Sequence, residues 1–314
     1  VEKINTYHDY RILVCDKVDE ILLNGLISKG LSVDYRPDIS PEQLLESVSK
    51  FHAIVVRSRT KVTSAVIEAA KNLKVIARAG VGVDNIDIKS AQKRDIKVVT
   101  AAGSSTDSVV ELALALAVGL ARHIPELSEQ IKEGLFHKKT GIELHSKTAG
   151  IIGFGRIGFQ AAMVLRALGM NVIAYDPIQS EERILAVSGR YVSLQDLLKE
   201  SDFIFVMVTM ERDSPPVLNG PEFAMMKKNA IMINTSRAEA IHGPSLLSYL
   251  KENVSAAYGT DVFTNEPPKE EWEKELLTLK NVMATPHIGA QTVEAQQRIA
   301  SMTLDRILET IKVE

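Results

Sequence analysis

The stretch that decides the fold is Thr148 to Pro177, TAGIIGFGRIGFQAAMVLRALGMNVIAYDP. An apolar run over Ala149–Gly153 enters the pattern Gly153-x-Gly155-x-x-Gly158, an amphipathic segment follows, and a second apolar run ends in Asp176. Strand, glycine turn, helix and strand in that order make a parallel βαβ unit. Gly153 permits the tight turn, Gly155 lets a pyrophosphate approach the backbone, and Gly158 allows the helix to pack close to the sheet. Phosphate would then sit at the helix N-terminus, opened by Arg156 and Ile157, where unpaired N–H groups and the dipole favour negative charge. Arg156 adds a direct phosphate contact. Asp176 lies about 20 residues beyond the glycines, where a carboxylate accepts both adenosine ribose hydroxyls and selects NAD over NADP. The competing reading is a plain glycine turn with an ordinary strand-end aspartate; strand, helix and acid together argue against it.

Working outward, β-rich runs alternate with helical-period segments on both sides, the pattern of parallel sheets covered by crossover helices. A first series predicts strands at Arg11–Cys15, Leu31–Tyr35, Ala53–Arg57, Lys74–Arg78 and Lys97–Thr100, with Pro41 opening one of the helices between them. A second series starts at Thr148 and predicts strands at Ala149–Gly153, Asn171–Asp176, Phe203–Val208, Ala230–Asn234, Ala256–Asp261 and Val282–Ala284. The last segment, Thr292–Val313, reads as a long helix. Between the series lies a helix from Ser105 to Arg122, with Thr106 or Asp107 as its cap and apolar residues on nearly every side. Such a helix must be buried, between domains or between subunits.

The 314 residues are 45% hydrophobic and 25% charged, ordinary values for a globular chain of two domains. A net charge of -3 gives no global field toward nucleic acid or an anionic membrane. The single cysteine, Cys15, ends an apolar run and reads as a buried strand residue in a reducing cytoplasm. Neither an apolar leader nor a membrane-length apolar stretch is found, so export and membrane insertion are not expected. No metal site is expected either.

Three polar residues follow strands of the second series: Arg237 in INTSRAEA, Glu266 in GTDVFTNEPP and His287 in ATPHIGAQT. Strand ends are where such sheets bind ligands. Taken singly, each has an ordinary explanation as a turn or loop residue. Together they suit hydride transfer to or from a 2-hydroxy acid: a cation for the carboxylate, an imidazole to exchange the hydroxyl proton, and a carboxylate to orient that imidazole and stabilise its protonated form.

At this point the chain resembles the D-isomer-specific 2-hydroxyacid dehydrogenases, and among them the phosphoglycerate-oxidising branch. The markers are VVRSRTKVT, LKVIARAGVGVDNID, GIIGFGRIG, the NTSR turn, DVFTNEPP and TPHIGAQT. The resemblance implies α/β architecture with two doubly wound parallel-sheet domains, a Rossmann-type NAD domain (102–288) inserted into a flavodoxin-like substrate domain (1–101 and 289–314). It assigns Arg237 to substrate carboxylate and carbonyl, Glu266 to support of the histidine and His287 to acid/base catalysis. Asp261 matches an aspartate that contacts the nicotinamide carboxamide, and Val208, Thr235, Gly289 and Ala290 match cofactor-lining positions. The loop Ala79–Asp84 matches backbone donors to the substrate carboxylate, with Val81 and Gly82 at its centre. Arg57 and Arg78 match arginines that suit a substrate phosphate, whereas Lys138 and Lys139 read as a solvated pair.

The implied activity is NAD-dependent oxidation of D-3-phosphoglycerate to 3-phosphohydroxypyruvate, the opening step of serine biosynthesis, in a cytoplasmic homodimer that pairs through the region of the apolar helix. A reductase of glyoxylate, hydroxypyruvate or another small 2-keto acid is the alternative; an NAD(H)-sensing corepressor is the alternative from another class. Departures from the family pattern are Ala238, Glu239 and His242 after the arginine, Met207 and Thr209 within VMVTM at the end of the Phe203–Val208 strand, and Ser105. Because the sequence ends just after the last helix, no regulatory domain and no inhibition by serine through one are expected.

Overall fold

The computed structural model describes residues 10–210 and 214–312. The chain divides into two compact units, one running up to Ser105 and resuming at Gln291, the other spanning Thr106–Ala290. These limits fall a few residues beyond the 101 and 288 read from sequence.

The first unit alternates β1 (Arg11–Val14), α1 (Glu20–Ser28), β2 (Ser32–Tyr35), α2 (Pro41–Ser47), β3 (Ala53–Val56), α3 (Ser64–Ala69), β4 (Val75–Arg78), α4 (Ile88–Lys93) and β5 (Lys97–Thr100). Its strands form one parallel sheet in the order β2-β1-β3-β4-β5. Local sequence explains the helix starts: Asp19, Ser40, Thr63 and Asp87 each accept an N–H of the following first turn, and Pro41 needs no such partner. Leu13, Ile54 and Ile76 pack on one face of the sheet beneath Leu44, Ile67 and Ala91 of the helices.

The second unit contains α5 (Thr106–Ala121), α6 (Ile124–Lys132), β6 (Thr148–Ile152), α7 (Arg156–Ala167), β7 (Asn171–Tyr175), α8 (Glu181–Ala186), β8 (Arg190–Tyr191), α9 (Leu194–Glu200), β9 (Phe203–Val206), α10 (Gly220–Met225), β10 (Ile231–Asn234), α11 (Gly243–Glu252), β11 (Ala257–Thr260), α12 (Glu271–Leu276) and β12 (Val282–Ala284). Its seven parallel strands run β12-β11-β10-β9-β6-β7-β8. Alternate residues serve opposite faces: Ile151, Phe203, Phe205 and Ile233 meet α5 and α7, while Ile152, Ile204, Val206 and Met232 pack with α9, α10 and α11. Both faces are thus covered, as a parallel sheet requires. The chain then returns to the first unit as α13 (Val293–Lys312), capped by the Thr292 hydroxyl and packed on α1, where Gly25 makes room for Leu304.

Several expectations are corrected. Helix α5 packs on β10, β11, β12 and α7 of its own unit, which bury most of its apolar residues and leave Asp107, Glu111 and Ala115 exposed. Thr106 and Asp107 lie inside its first turn and do not precede it as caps. Strands β1, β3, β6, β7, β9 and β11 stop one or two residues short of their predicted ends; after β6, Gly153 adopts φ 92°, and after β3 the Arg57 N–H bonds a side chain, the Asp16 carboxylate. Strand β8, two residues long, carries too little pattern to be predicted. Cys15 lies one residue beyond β1, fully buried, and burial pushes its thiol up to about 12, out of reach of ordinary thiol chemistry. Among the described residues no single helix is long and apolar enough to cross a membrane, and no His, Cys, Asp or Glu cluster is arranged to hold a metal.

Candidate active site

In the second unit the glycine motif lies where β6 meets α7. At Gly153 a Cβ would sit 2.6 Å from the Met207 carbonyl oxygen and 2.9 Å from the Val208 Cα, and at Gly158 one would sit 2.1 Å from the Gly153 carbonyl oxygen. These glycines let the turn pass under the end of β9 and let α7 close onto the sheet. Met207 occupies a buried core position and Val208, half-buried, follows it. Gly155 differs from both. It is exposed, a Cβ there would meet nothing within 4 Å, and no side chain caps α7. The exposed Arg156, then Ile157, follow in that open first turn. The Asp176 carboxylate accepts from the Phe154 and Ile178 N–H groups at 2.6 and 2.7 Å, which fixes the glycine loop to the end of β7. The half-buried Thr235 presents a buried hydroxyl oxygen with no hydrogen-bond partner. Open space at Gly155, an uncapped helix N-terminus, a strand-end carboxylate and an unpartnered hydroxyl all fit a dinucleotide.

The three chemistry-bearing residues follow three adjacent strands. After β10, the buried Asn234 builds the turn: its Oδ1 accepts from the Ser236 N–H and hydroxyl at 3.0 and 2.9 Å, and its Nδ2 donates to the Arg237 carbonyl at 2.9 Å. This Asx turn presents Arg237, whose guanidinium also donates to the Ser236 carbonyl. Beyond it, Ala238–Ala240 form one 3-10 turn containing Glu239, and His242 Nδ1 lies 2.7 Å from the Ser245 hydroxyl at the start of α11.

After β12, the chain turns through Thr285–Gly289 around Asp261. That buried carboxylate accepts from the Thr285 hydroxyl at 2.6 Å, the Ile288 N–H at 2.8 Å and the Gly289 N–H at 2.7 Å. Ser108 of α5 donates to the Gly289 carbonyl and anchors the turn, with Ala290 next in the chain. His287 is held within it at φ 54°, a left-handed conformation that costs a non-glycine residue about 1–3 kcal/mol. Its Nδ1 lies 2.7 Å from Glu266 Oε1, from the loop after β11, and both side chains are about half exposed (47% and 42%). Against an ionised carboxylate the imidazole proton sits on Nδ1, which leaves Nε2 for proton exchange.

The first unit brings Arg57 and Arg78 to neighbouring loops. Asn85 Nδ2 donates to the Arg57 and Thr60 carbonyls at 2.7 and 2.6 Å, and the Asp16 carboxylate takes the Arg57 N–H. Burial lowers the Arg57 pKa from its ordinary value while Asp16 opposes that, so the guanidinium stays charged. Arg78 donates to the Ser58 hydroxyl and the Ala79 carbonyl, and its guanidinium occupies the space a side chain at Gly80 would need. Val81, exposed, and Gly82, half-buried, follow on the same loop. Lys139 is tied to Glu126 at 2.6 Å, Lys138 is exposed, and Ser105 is buried immediately before α5. Asp16, Asn85, Asn234 and Glu273, which shape these loops, were not singled out from sequence. For Asn234 its place in the NTSR turn is a usable signal; the other three bond to residues far along the chain or in an atypical cap.

The family profile described as D-isomer specific 2-hydroxyacid dehydrogenase, NAD binding domain, matches residues 114–289. The chain is 42% identical over 304 residues to a D-3-phosphoglycerate dehydrogenase of Archaeoglobus fulgidus, which covers 96% of this chain and 57% of that protein. It is 40% identical over 306 residues to a hydroxypyruvate reductase of Thermotoga maritima, covering 97% of this chain and 99% of that one. Among solved structures, a glyoxylate reductase from Paecilomyes thermophila superposes with a TM-score of 0.88 at 26% identity, over 97% of this chain and 96% of the other. The chain therefore spans little more than half of its phosphoglycerate dehydrogenase relative and nearly all of the hydroxypyruvate reductase. With the glycine turn, the strand-end carboxylate and the paired histidine and glutamate in place, the chain belongs to the D-isomer specific 2-hydroxyacid dehydrogenase family and carries its NAD-binding domain.

Proposed function

We propose that the protein oxidises D-3-phosphoglycerate to 3-phosphohydroxypyruvate, and the observation that carries the acid–base part is the 2.7 Å contact between His287 Nδ1 and Glu266 Oε1. Bound NAD supplies the hydride acceptor in oxidation and, once reduced, the donor in reduction. His287 Nε2 takes the hydroxyl proton as the C–H hydride leaves the same carbon, so an alcohol becomes a ketone with both hydrogens accounted for. Glu266 orients the ring and stabilises the imidazolium that results. Arg237 binds the substrate carboxylate and the oxygen that becomes the carbonyl. Gly155, Arg156 and Ile157 receive the pyrophosphate, Asp176 the adenosine ribose, and Asp261, Thr235, Val208, Gly289 and Ala290 line the nicotinamide end. Val81 and Gly82 offer backbone donors to the substrate carboxylate; Arg57 and Arg78 take its phosphate.

A second reading, reduction of hydroxypyruvate, glyoxylate or another small 2-keto acid, is favoured by the similarity to the Thermotoga maritima hydroxypyruvate reductase along nearly its whole length. A panel of phosphorylated and unphosphorylated hydroxy and keto acids, followed by NADH absorbance, decides between them. Arg78→Ala is expected to lower kcat/KM for phosphoglycerate about 10- to 100-fold, the loss of a charged hydrogen bond. An equal loss with an unphosphorylated analogue rejects the phosphate assignment. His287→Ala is expected to lower kcat about 10²- to 10⁴-fold with NADH binding retained; near-normal turnover removes its catalytic role. No NAD-linked turnover with any acid tried would favour the corepressor reading.

The protein pairs as a homodimer in this proposal. Support comes from residues 131–140, all exposed, which bring Ile131, Leu135 and Phe136 to the surface, Phe136 at 80% exposure. Apolar side chains grouped this way mark an association surface. Light scattering at micromolar concentration should return twice the chain mass, and a monomer overturns the assignment.

A further inference from the structure

We propose that Glu273 is a positioning residue that sets Glu266 against His287, a role that rests on the acid–base reading above. Glu273 carries a carboxyl group that is fully buried, with 0% exposure, on the first turn of α12. Its described partners are backbone N–H groups of the loop that carries Glu266: Thr264 at 2.8 Å to Oε1, then Lys269 and Glu270 at 3.3 and 3.4 Å to Oε2. The contact to Glu270 belongs to a capping box and is local to the helix. The contact to Thr264 is different. It crosses the loop two residues before Glu266 and closes Thr264–Glu270 onto one buried carboxylate.

The helix that holds this carboxylate is itself fixed. Trp272 lies over Gly243 of α11, where a Cβ would fall within 2.3 Å of the indole, and Leu276 is buried in the core with 2% exposure. Glu273 therefore transmits the rigidity of the α11–α12 packing to an exposed loop. A mirror arrangement holds the other half of the pair, since Asp261 gathers the turn that carries His287. Two buried carboxylates thus each gather the N–H groups of a loop, and each loop brings one partner of the 2.7 Å contact.

The test compares Glu273→Gln, Glu266→Gln and the double variant in the full chain. Glu273→Gln keeps the shape and turns part of the acceptor into a donor facing N–H groups. We expect it to lower kcat about tenfold, as a loosened orienting carboxylate would, with KM for NAD unchanged. The double variant should be no slower than Glu266→Gln alone, because both act through one contact. Leu198→Ala, a fully buried core substitution on α9 away from both loops, reports the effect of lost stability and should reduce Tm while leaving kcat near wild type. Should Glu273→Gln not fold, Glu273→Asp, which keeps the charge and withdraws it by one methylene, carries the same cycle. Wild-type kcat in the Glu273 variant, an equal loss in Leu198→Ala at matched Tm, or losses that multiply in the double variant overturn the positioning role. Wild-type kcat in Glu266→Gln removes the acid–base reading itself, and the positioning role falls with it.

Discussion

The two sheets wind by the same rule and treat their reversal points in opposite ways. In the five-stranded sheet the winding reverses between β1 and β3; in the seven-stranded sheet it reverses between β6 and β9. Such points leave a crevice at the carboxyl ends of the strands. The first unit closes its crevice with its own side chains: Asp16 after β1 bonds the Arg57 and Thr60 N–H groups and the Thr60 hydroxyl after β3, and pairs with Arg59, whose guanidinium also bonds the Cys15, Pro37 and Ile39 carbonyls. The second unit lines its crevice with glycines and an uncapped helix N-terminus. One topology therefore makes a structural knot in one place and a binding site in the other, according to whether side chains or bare backbone fill the reversal point.

Three substitutions break or sharpen that contrast. Asp16→Asn should be the most damaging to the fold, by about 2–4 kcal/mol, because buried N–H groups and Arg59 lose an ionised acceptor. Thermal melting should show that loss while NADH binding to the second unit stays at wild-type affinity; weakened NADH binding would mean that the knot also serves the cofactor. Gly153→Ala should cost about 2–3 kcal/mol, since it forces a side chain to a positive φ and against the Met207 carbonyl. Here NADH affinity, measured by fluorescence titration, should fall together with stability. Gly155→Ala gives the smallest effect and the sharpest test. Its φ of -72° suits alanine and its Cβ meets nothing, so Tm should hold within a degree or two while NADH affinity drops about tenfold. Unchanged NADH affinity would show that this open backbone does not receive the dinucleotide.

How much of this was legible in the sequence varies with the range of the interaction. Strand positions were readable because fully buried parallel strands are continuous apolar runs, such as Phe203–Val206 and Ile231–Asn234. Their ends were not, because a residue leaves the ladder when a tertiary partner captures its N–H, as Asp16 does for Arg57. Glycine positions and their reasons were readable from spacing and motif, and the structure adds what each excludes: a Cβ at Gly153 or Gly158 would strike backbone, while one at Gly155 would meet open space. The apolar helix α5 shows the same limit. Its sequence requires burial on nearly every side, yet only the packing shows that its own sheet and α7 cover it. Asp261 is instructive in another way. Its strand-end position was evident, and its carboxylate proves to be engaged by the turn that carries His287.

The sequence by itself determined the alternation of strands and helices and the glycine turn with its acid, and it singled out Arg237, Glu266 and His287 as candidates, because hydrophobic period and short motifs are encoded within a few residues of one another. Only the tertiary structure decided that Glu266 and His287, 21 positions apart, meet at 2.7 Å, and that Asp261 and Glu273 hold the loops that make them meet. Those contacts depend on which strands lie side by side at their carboxyl ends, and strand order is a property of the packed sheet.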